Sequence, residues 1–206
     1  MGTTNQTSQN LEETLHTGLY GIFKITGIKD VIKSGVFICS IVSTISLLFF
    51  VCVTKYDSYS LIKEIKSLCL NILPNILGFT VSGYAIMVGF TQSMMQKKIT
   101  EKIPNSKYSL YQKISSKFAL NIVIQGIVLL IACGIHFIIV INEGGKNPIH
   151  LESRYRDIIN YIALSFITFG FTLSLFLIIQ IVANVFGFSQ LIHYFVNTEK
   201  IEDPNP

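Results

Sequence analysis

Four long apolar stretches, 36–53, 68–90, 118–141 and 158–186, carry no Asp, Glu, Lys or Arg. A helix needs about 20 apolar residues to cross the hydrocarbon core of a bilayer. Each stretch comes close to or exceeds that length. A soluble helix of this length shows a charged face on a 3.6-residue period, and these show none. The expected fold is therefore an all-α, polytopic membrane protein with four transmembrane helices and short cytoplasmic helical extensions. The alternative is three spans plus a re-entrant or interfacial second segment, because Pro74 interrupts that stretch. Charged residues make up 14% of the 206-residue chain, against about a quarter in a soluble domain. All of them lie between or outside the stretches.

The segment before the first stretch does not read as a cleavable signal. Residues 1–10 are polar and uncharged, and apolar density begins near Val31. Met1-Gly2 resembles the start of a myristoylation motif, but Gln6 stands where Ser or Thr is required. Cys39, Cys52, Cys69 and Cys133 have no metal-ligand spacing. Apolar packing is their first reading, and a Cys52–Cys69 bridge at one membrane face is the alternative.

Lys and Arg in short loops set orientation. Lys97, Lys98, Lys102, Lys107, Lys113 and Lys117 make 91–117 the most basic part of the chain, so this hairpin is placed in the cytoplasm. Both tails follow it there. Lys24, Lys29, Lys33 and Lys200 bring the cytoplasmic side to ten, against six on the other side (Lys55, Lys63, Lys66, Lys146, Arg154 and Arg156). With no Trp in the chain, Tyr56, Tyr59, Tyr108, Tyr111, Tyr155 and Tyr161 take the interfacial aromatic positions at span ends.

The expected organisation has three parts. Residues 1–34 form a cytoplasmic tail with an amphipathic segment, broken near Gly18, Gly21 and Gly27. Residues 35–190 form the four-helix membrane domain with its hairpin. Residues 191–206 form a cytoplasmic tail. In the hairpin, 91–103 reads as helix, Pro104-Asn105-Ser106 as a turn, and Ser106 as the cap of a helix that runs into the third span.

Polar residues inside the spans are the candidate functional residues, since lipid satisfies no amide or hydroxyl. On a helical wheel at 100° per residue, Asn71, Asn75, Gly78, Ser82 and Gly89 share one face of the second span. Asn121, Gln125 and His136 share a face of the third, and Tyr161, Ser165, Thr168 and Thr172 one of the fourth. These faces are expected to point inward. His136, Asn75 and Ser165 fall at similar depth in the outer half and form a candidate hydrogen-bonded cluster. The bland reading of such stripes is interhelical glue, at about 0.6 kcal/mol per contact. Pro74, followed by Gly78, marks the expected kink.

No intramembrane carboxylate, phosphate-binding loop, metal-ligand cluster or nucleophile elbow is present in the sequence. No enzymatic activity, cofactor, metal or direct nucleic-acid binding is expected. The six lysines of the hairpin fit attraction to anionic membrane lipid, and more sharply a cytosolic effector protein.

In size, cytoplasmic tails and the run Leu73-Pro74-Asn75-Ile76-Leu77-Gly78-Phe79, followed by Tyr84-Ala85-Ile86, the chain resembles the small four-span membrane proteins of bacterial anti-phage defence systems. The membrane subunit of the Kiwa system is the nearest of these. The resemblance implies a homo-oligomer of the bacterial inner membrane that senses phage-induced envelope disturbance and works with a cytosolic effector. It carries over no binding residues. The sequence thus leads to an oligomeric membrane sensor or pore-forming effector. A passive scaffold and a small solute transporter using His136 stand as alternatives.

Overall fold

The computed structural model describes residues 18–89, 107–145 and 153–202, and these are helical with no strand among them. Among the described residues the helices are, in order, α1 Gly18–Thr26, α2 Ile28–Ile32, α3 Gly35–Thr54, α4 Ser58–Gly89, α5 Leu110–Gly144 and α6 Ser153–Glu202. Four of these, α3 to α6, are long and apolar enough to cross a membrane. At ~1.5 Å per residue, the 32 residues of α4 and 35 of α5 are longer than the ~30 Å hydrocarbon core. The apolar stretches mark the middle of each helix, and the helices continue past them on charged and polar residues.

Local chemistry sets the helix ends. Ser34 is extended and its Oγ accepts from Phe37 N, which starts α3. Lys55 ends it in the left-handed region at φ 50°. Asp57 starts α4: its Oδ2 accepts from Ser60 N at 3.0 Å and Ser60 Oγ at 2.7 Å. Those hydrogen bonds, the one from the Ser60 hydroxyl foremost, hold the Asp57 carboxyl below its ordinary value. Ser109, not Ser106, starts α5. Ser109 Oγ accepts from Gln112 N and Gln112 Oε1 accepts from Ser109 N, a reciprocal capping box. Residues 91–106 lie outside the described residues. Gly27, at φ +78°, makes the break between α1 and α2, whereas Gly21 is a buried residue within α1.

The described residues form two compact units. The first gathers α1, α2 and the stretches 81–89, 107–120 and 181–202. Met87, Phe118, Ile181 and Phe188 fill its core. Tyr84 meets the Ser115 hydroxyl at 3.1 Å, and Thr26 Oγ1 donates to Ser116 Oγ at 3.1 Å. The second unit holds α3 with 58–80, 121–144 and 153–180. Its core is one cluster that includes Val51, Ile62, Ile65, Cys69, Leu73, Ile76, Val128, Ala132, Leu164 and Ile167. Gly170 presses against Val128 so closely that a Cβ at 170 would lie 3.0 Å from both Val128 methyls. Large apolar residues such as Phe49, Leu130, Ile141 and Ile179 are exposed around this bundle, as suits a lipid-facing surface. All four cysteines are free, so no Cys52–Cys69 bridge exists, and Cys69 is instead buried in the core.

Candidate functional site

The second unit carries two polar layers. The outer one joins the start of α4 to the end of α5. Tyr59, Lys63 and Lys66 recur at i, i+4 and i+7 and so share one helical face, while His136 and Glu143 are seven residues apart on α5. Glu143 Oε1 accepts from the Tyr59 hydroxyl and from Lys63 Nζ, both at 2.9 Å. Lys63 and Glu143 are nearly half exposed, so the pair is a hydrated tether rather than a deep lock. Lys66 Nζ lies 3.3 Å from His136 Nδ1. Beside this layer a cavity of about 600 Å³ is lined by Asp57, Tyr59, Asn142, Glu143, Arg156, Asp157 and Asn160.

The inner layer is buried. Thr80 and Gln125 are both fully buried, and Thr80 Oγ1 donates to Gln125 Oε1 at 2.9 Å. The same hydroxyl lies 2.9 Å from Ile76 O, so one proton serves two acceptors. Gln125 Nε2 has no partner among the described residues, and neither has Nδ2 of buried Asn121, one turn earlier on α5. Turning the Gln125 amide over would pair its NH₂ with Thr80 and leave the carbonyl unpaired instead. One end of this amide stays unsatisfied either way. Thr168 Oγ1 is a third buried group without a hydrogen bond among these residues. Each such orphan costs about 1–3 kcal/mol.

The residues singled out from sequence divide between these layers and the outer surface. Asn121, Gln125 and His136 lie where the layers form. Asn71, Asn75 and Ser82 do not point inward: all three are exposed, as are Gly78 and Gly89. The inward face of α4 is instead Ile62, Ile65, Cys69, Leu73, Ile76 and Thr80, whose apolar side chains fill the core. Nor do His136, Asn75 and Ser165 form one cluster. Asn75 Nδ2 donates to Asn71 O, and Ser165 Oγ to Tyr161 O, so each bonds to its own helix rather than to the others. Pro74 sits within a helix that continues on both sides of it.

Lys107, Lys113 and Lys117 belong to the first unit, with Lys107 and Lys117 exposed, whereas Lys97, Lys98 and Lys102 lie outside the described residues. No family model, curated protein or solved structure matches this chain. Among the described residues, no three His, Cys, Asp or Glu side chains gather as metal ligands.

Sequence reasoning overlooked Thr80 and Glu143, and used Tyr59, Lys63 and Lys66 only as span-end and orientation signals. Thr80 had a usable signal, being the one hydroxyl on the apolar seam 62, 65, 69, 73, 76, 80. The Tyr59/Lys63/Lys66 stripe also had one, because an antiparallel α4–α5 pairing that opposes Lys66 to His136 carries Tyr59 to Glu143, with Lys63 one turn away.

Proposed function

We propose that this chain is a non-enzymatic, oligomeric protein of the bacterial inner membrane, with both termini cytoplasmic. It acts as a sensor or pore-forming effector in anti-phage defence, with a cytosolic partner docked at the lysine-rich 91–117 segment. Its four membrane-length helices are consistent with the setting. The observation that carries the reading is the inner layer: two buried carboxamides one turn apart, each with an unpaired NH₂ among the described residues. A passive scaffold gains nothing from such groups, because apolar side chains of the same shape pack at no desolvation cost. A protein that exchanges between a dry and a hydrated state does gain. The orphan donors raise the free energy of the dry state, and entering water relieves them. Envelope disturbance needs only to tip that balance, and the resulting path is lined by Asn121 and Gln125.

The test is ion and dye flux from proteoliposomes, alongside phage plating on cells carrying the gene. Wild-type vesicles are expected to leak when the bilayer is stretched. Gln125→Met keeps the volume, removes the orphan amide and leaves Thr80 bonded to Ile76 O, so it folds normally. It is expected to stay tight and to lose protection against phage. Wild-type vesicles that never leak point to the scaffold, and saturable uptake of one solute points to the transporter. For the partner, replacing Lys97, Lys98 and Lys102 by Gln should reduce recovery of a cytosolic protein with the tagged chain.

A further inference from the structure

On α4, Leu68, Asn71, Asn75 and Gly78 follow at intervals of three, four and three residues, and all four are exposed. The opposite side of the same turns (Cys69, Leu73, Ile76 and Thr80) is buried. The exposed positions thus form a 3–4 seam, the spacing by which two helices pack with a shallow left-handed crossing. Nothing among the described residues covers it. A Cβ on Gly78 would meet no atom within 4 Å, so packing among these residues does not call for glycine there. The Asn71 carboxamide makes no hydrogen bond among the described residues, and Asn75 spends one donor on Asn71 O, leaving its own carbonyl oxygen without a partner there.

Counting from Leu68 at the edge of the apolar stretch, Asn71 lies about 5 Å into the hydrocarbon, Asn75 about 10 Å and Gly78 about 15 Å, close to the midplane. Acyl chains offer a carboxamide neither donor nor acceptor at those depths, and lipid headgroups and soluble proteins do not reach them.

We infer that this seam is a self-association face, on which Asn71 and Asn75 pair with the same residues of a second copy across Gly78. The occupant follows from two physical facts. A carboxamide carries both a donor and an acceptor, so it complements itself. Every copy inserted with the same topology holds these amides at the same depth, so a parallel pair matches them without adjustment. A polar residue at one seam position also fixes register and oligomer number, since any slip leaves amides in lipid. Gly78 lets the backbones approach at the midplane. The inference rests on the oligomeric part of the proposed function and adds the face that forms the contact.

The test uses the full-length chain in native membrane vesicles, with the exposed Cys39 and Cys52 replaced by Ala. Asn75→Cys treated with copper–phenanthroline is expected to give a disulfide-linked product of twice the chain mass. Ile45→Cys, exposed on α3, gives none. In lipid nanodiscs or mild detergent, Asn75→Leu is expected to weaken association about threefold and the Asn71→Leu/Asn75→Leu pair about tenfold, from the usual strength of an interhelical polar contact. Gly78→Ile blocks close approach and gives the same loss, while Asn75→Gln retains association. Unchanged helicity and unchanged protection of buried Cys69 show that these variants fold. Oligomers that persist in the double variant, or that cross-link through position 45 and not 75, overturn the seam but leave the oligomeric reading. A wild-type particle of one chain mass overturns both. Cross-linking of position 75 to a different protein overturns the choice of a second copy.

Discussion

Gly170→Ala measures how tightly α5 and α6 are packed in the second unit. The added methyl would lie 3.0 Å from both Cγ atoms of Val128, whereas carbons rest at about 3.5–4.0 Å. Val128 has little room to yield. It is buried and β-branched, and turning its χ1 brings one methyl to where the other was. The helices must part by a few tenths of an ångström, which costs about 1–3 kcal/mol, and two clashing methyls favour the upper half of that range. Ala also gains up to about 1 kcal/mol over Gly as a helix former. The net expectation is a loss of about 1–2 kcal/mol, from those two opposing terms. In a Val128→Ala background the clash disappears and only the helical gain remains, so the same substitution becomes neutral or stabilising. The coupling in the double-mutant cycle is then about 2–3 kcal/mol. The chain has no Trp, so the readout is pulsed thiol labelling of Cys69, which is buried in the same core and reacts only on opening. Labelling is followed through an SDS titration of mixed micelles. If Gly170→Ala is as stable as wild type, or if its effect is the same whether or not Val128→Ala is present, the close approach at this point is wrong.

Thr80→Val removes the hydrogen bond to the Gln125 carbonyl and leaves a buried acceptor alone, at an expected cost of about 1–3 kcal/mol by the same labelling assay. Adding Gln125→Met should recover most of that loss. Ser109→Ala opens the capping box of α5, so hydrogen exchange at amides 110–113 should accelerate as about 1 kcal/mol of cap is lost. Asp57 has a carboxyl held below its ordinary value of 3.8 by the Ser60 hydrogen bonds. Its capping contribution is therefore complete above about pH 4 and disappears as pH falls through the lowered folded value. Exchange at amides 58–62 should be slower in wild type than in Asp57→Asn at about pH 6, and the difference should close as acid protonates the Asp57 carboxyl.

The number of membrane helices was legible because charge is costly in hydrocarbon and all charges avoid four stretches. For α3, Gly35–Thr54 lies within one residue of the apolar stretch 36–53. For α6 the same signal found only 158–186 of Ser153–Glu202, since a helix that leaves the bilayer takes up polar residues without ceasing to be a helix. Cap position turned on reciprocity. Ser106 has the right residue type, but Ser109 has Gln112 three residues on to return the bond. The facing of α4 was not legible from polarity. In water, polar residues point out; in lipid, they point toward any protein partner, whether in the same chain or in another. Asn71 and Asn75 therefore looked like core residues, while the core of this unit was supplied by Leu73, Ile76 and their neighbours. Long side chains reach across helices 80 residues apart in sequence, as Lys63 does to Glu143, and no local pattern in α4 alone announces this.

Asn75 and Thr80 are five residues apart on α4 and point to opposite sides, one to the exposed seam and one to Gln125. Pro74 lies between Asn71 and Asn75, has no N–H, and leaves the Leu70 carbonyl without its helical donor, so resistance to bending is least there. Any turn of α4 that tightens the seam against a second copy would move Thr80 against Gln125. On the proposed reading, association through the seam and hydration of the buried amides are two equilibria on one helix, and linkage requires each to shift the other by the same factor. The Asn71→Leu/Asn75→Leu variant should therefore change the membrane tension at which vesicles leak, although neither residue touches Gln125. Adding Gln125→Met should abolish leak at any tension and leave association altered in the reciprocal sense. Seam variants that become monomeric yet leak at the wild-type threshold would separate the two events and remove α4 as the connection between them.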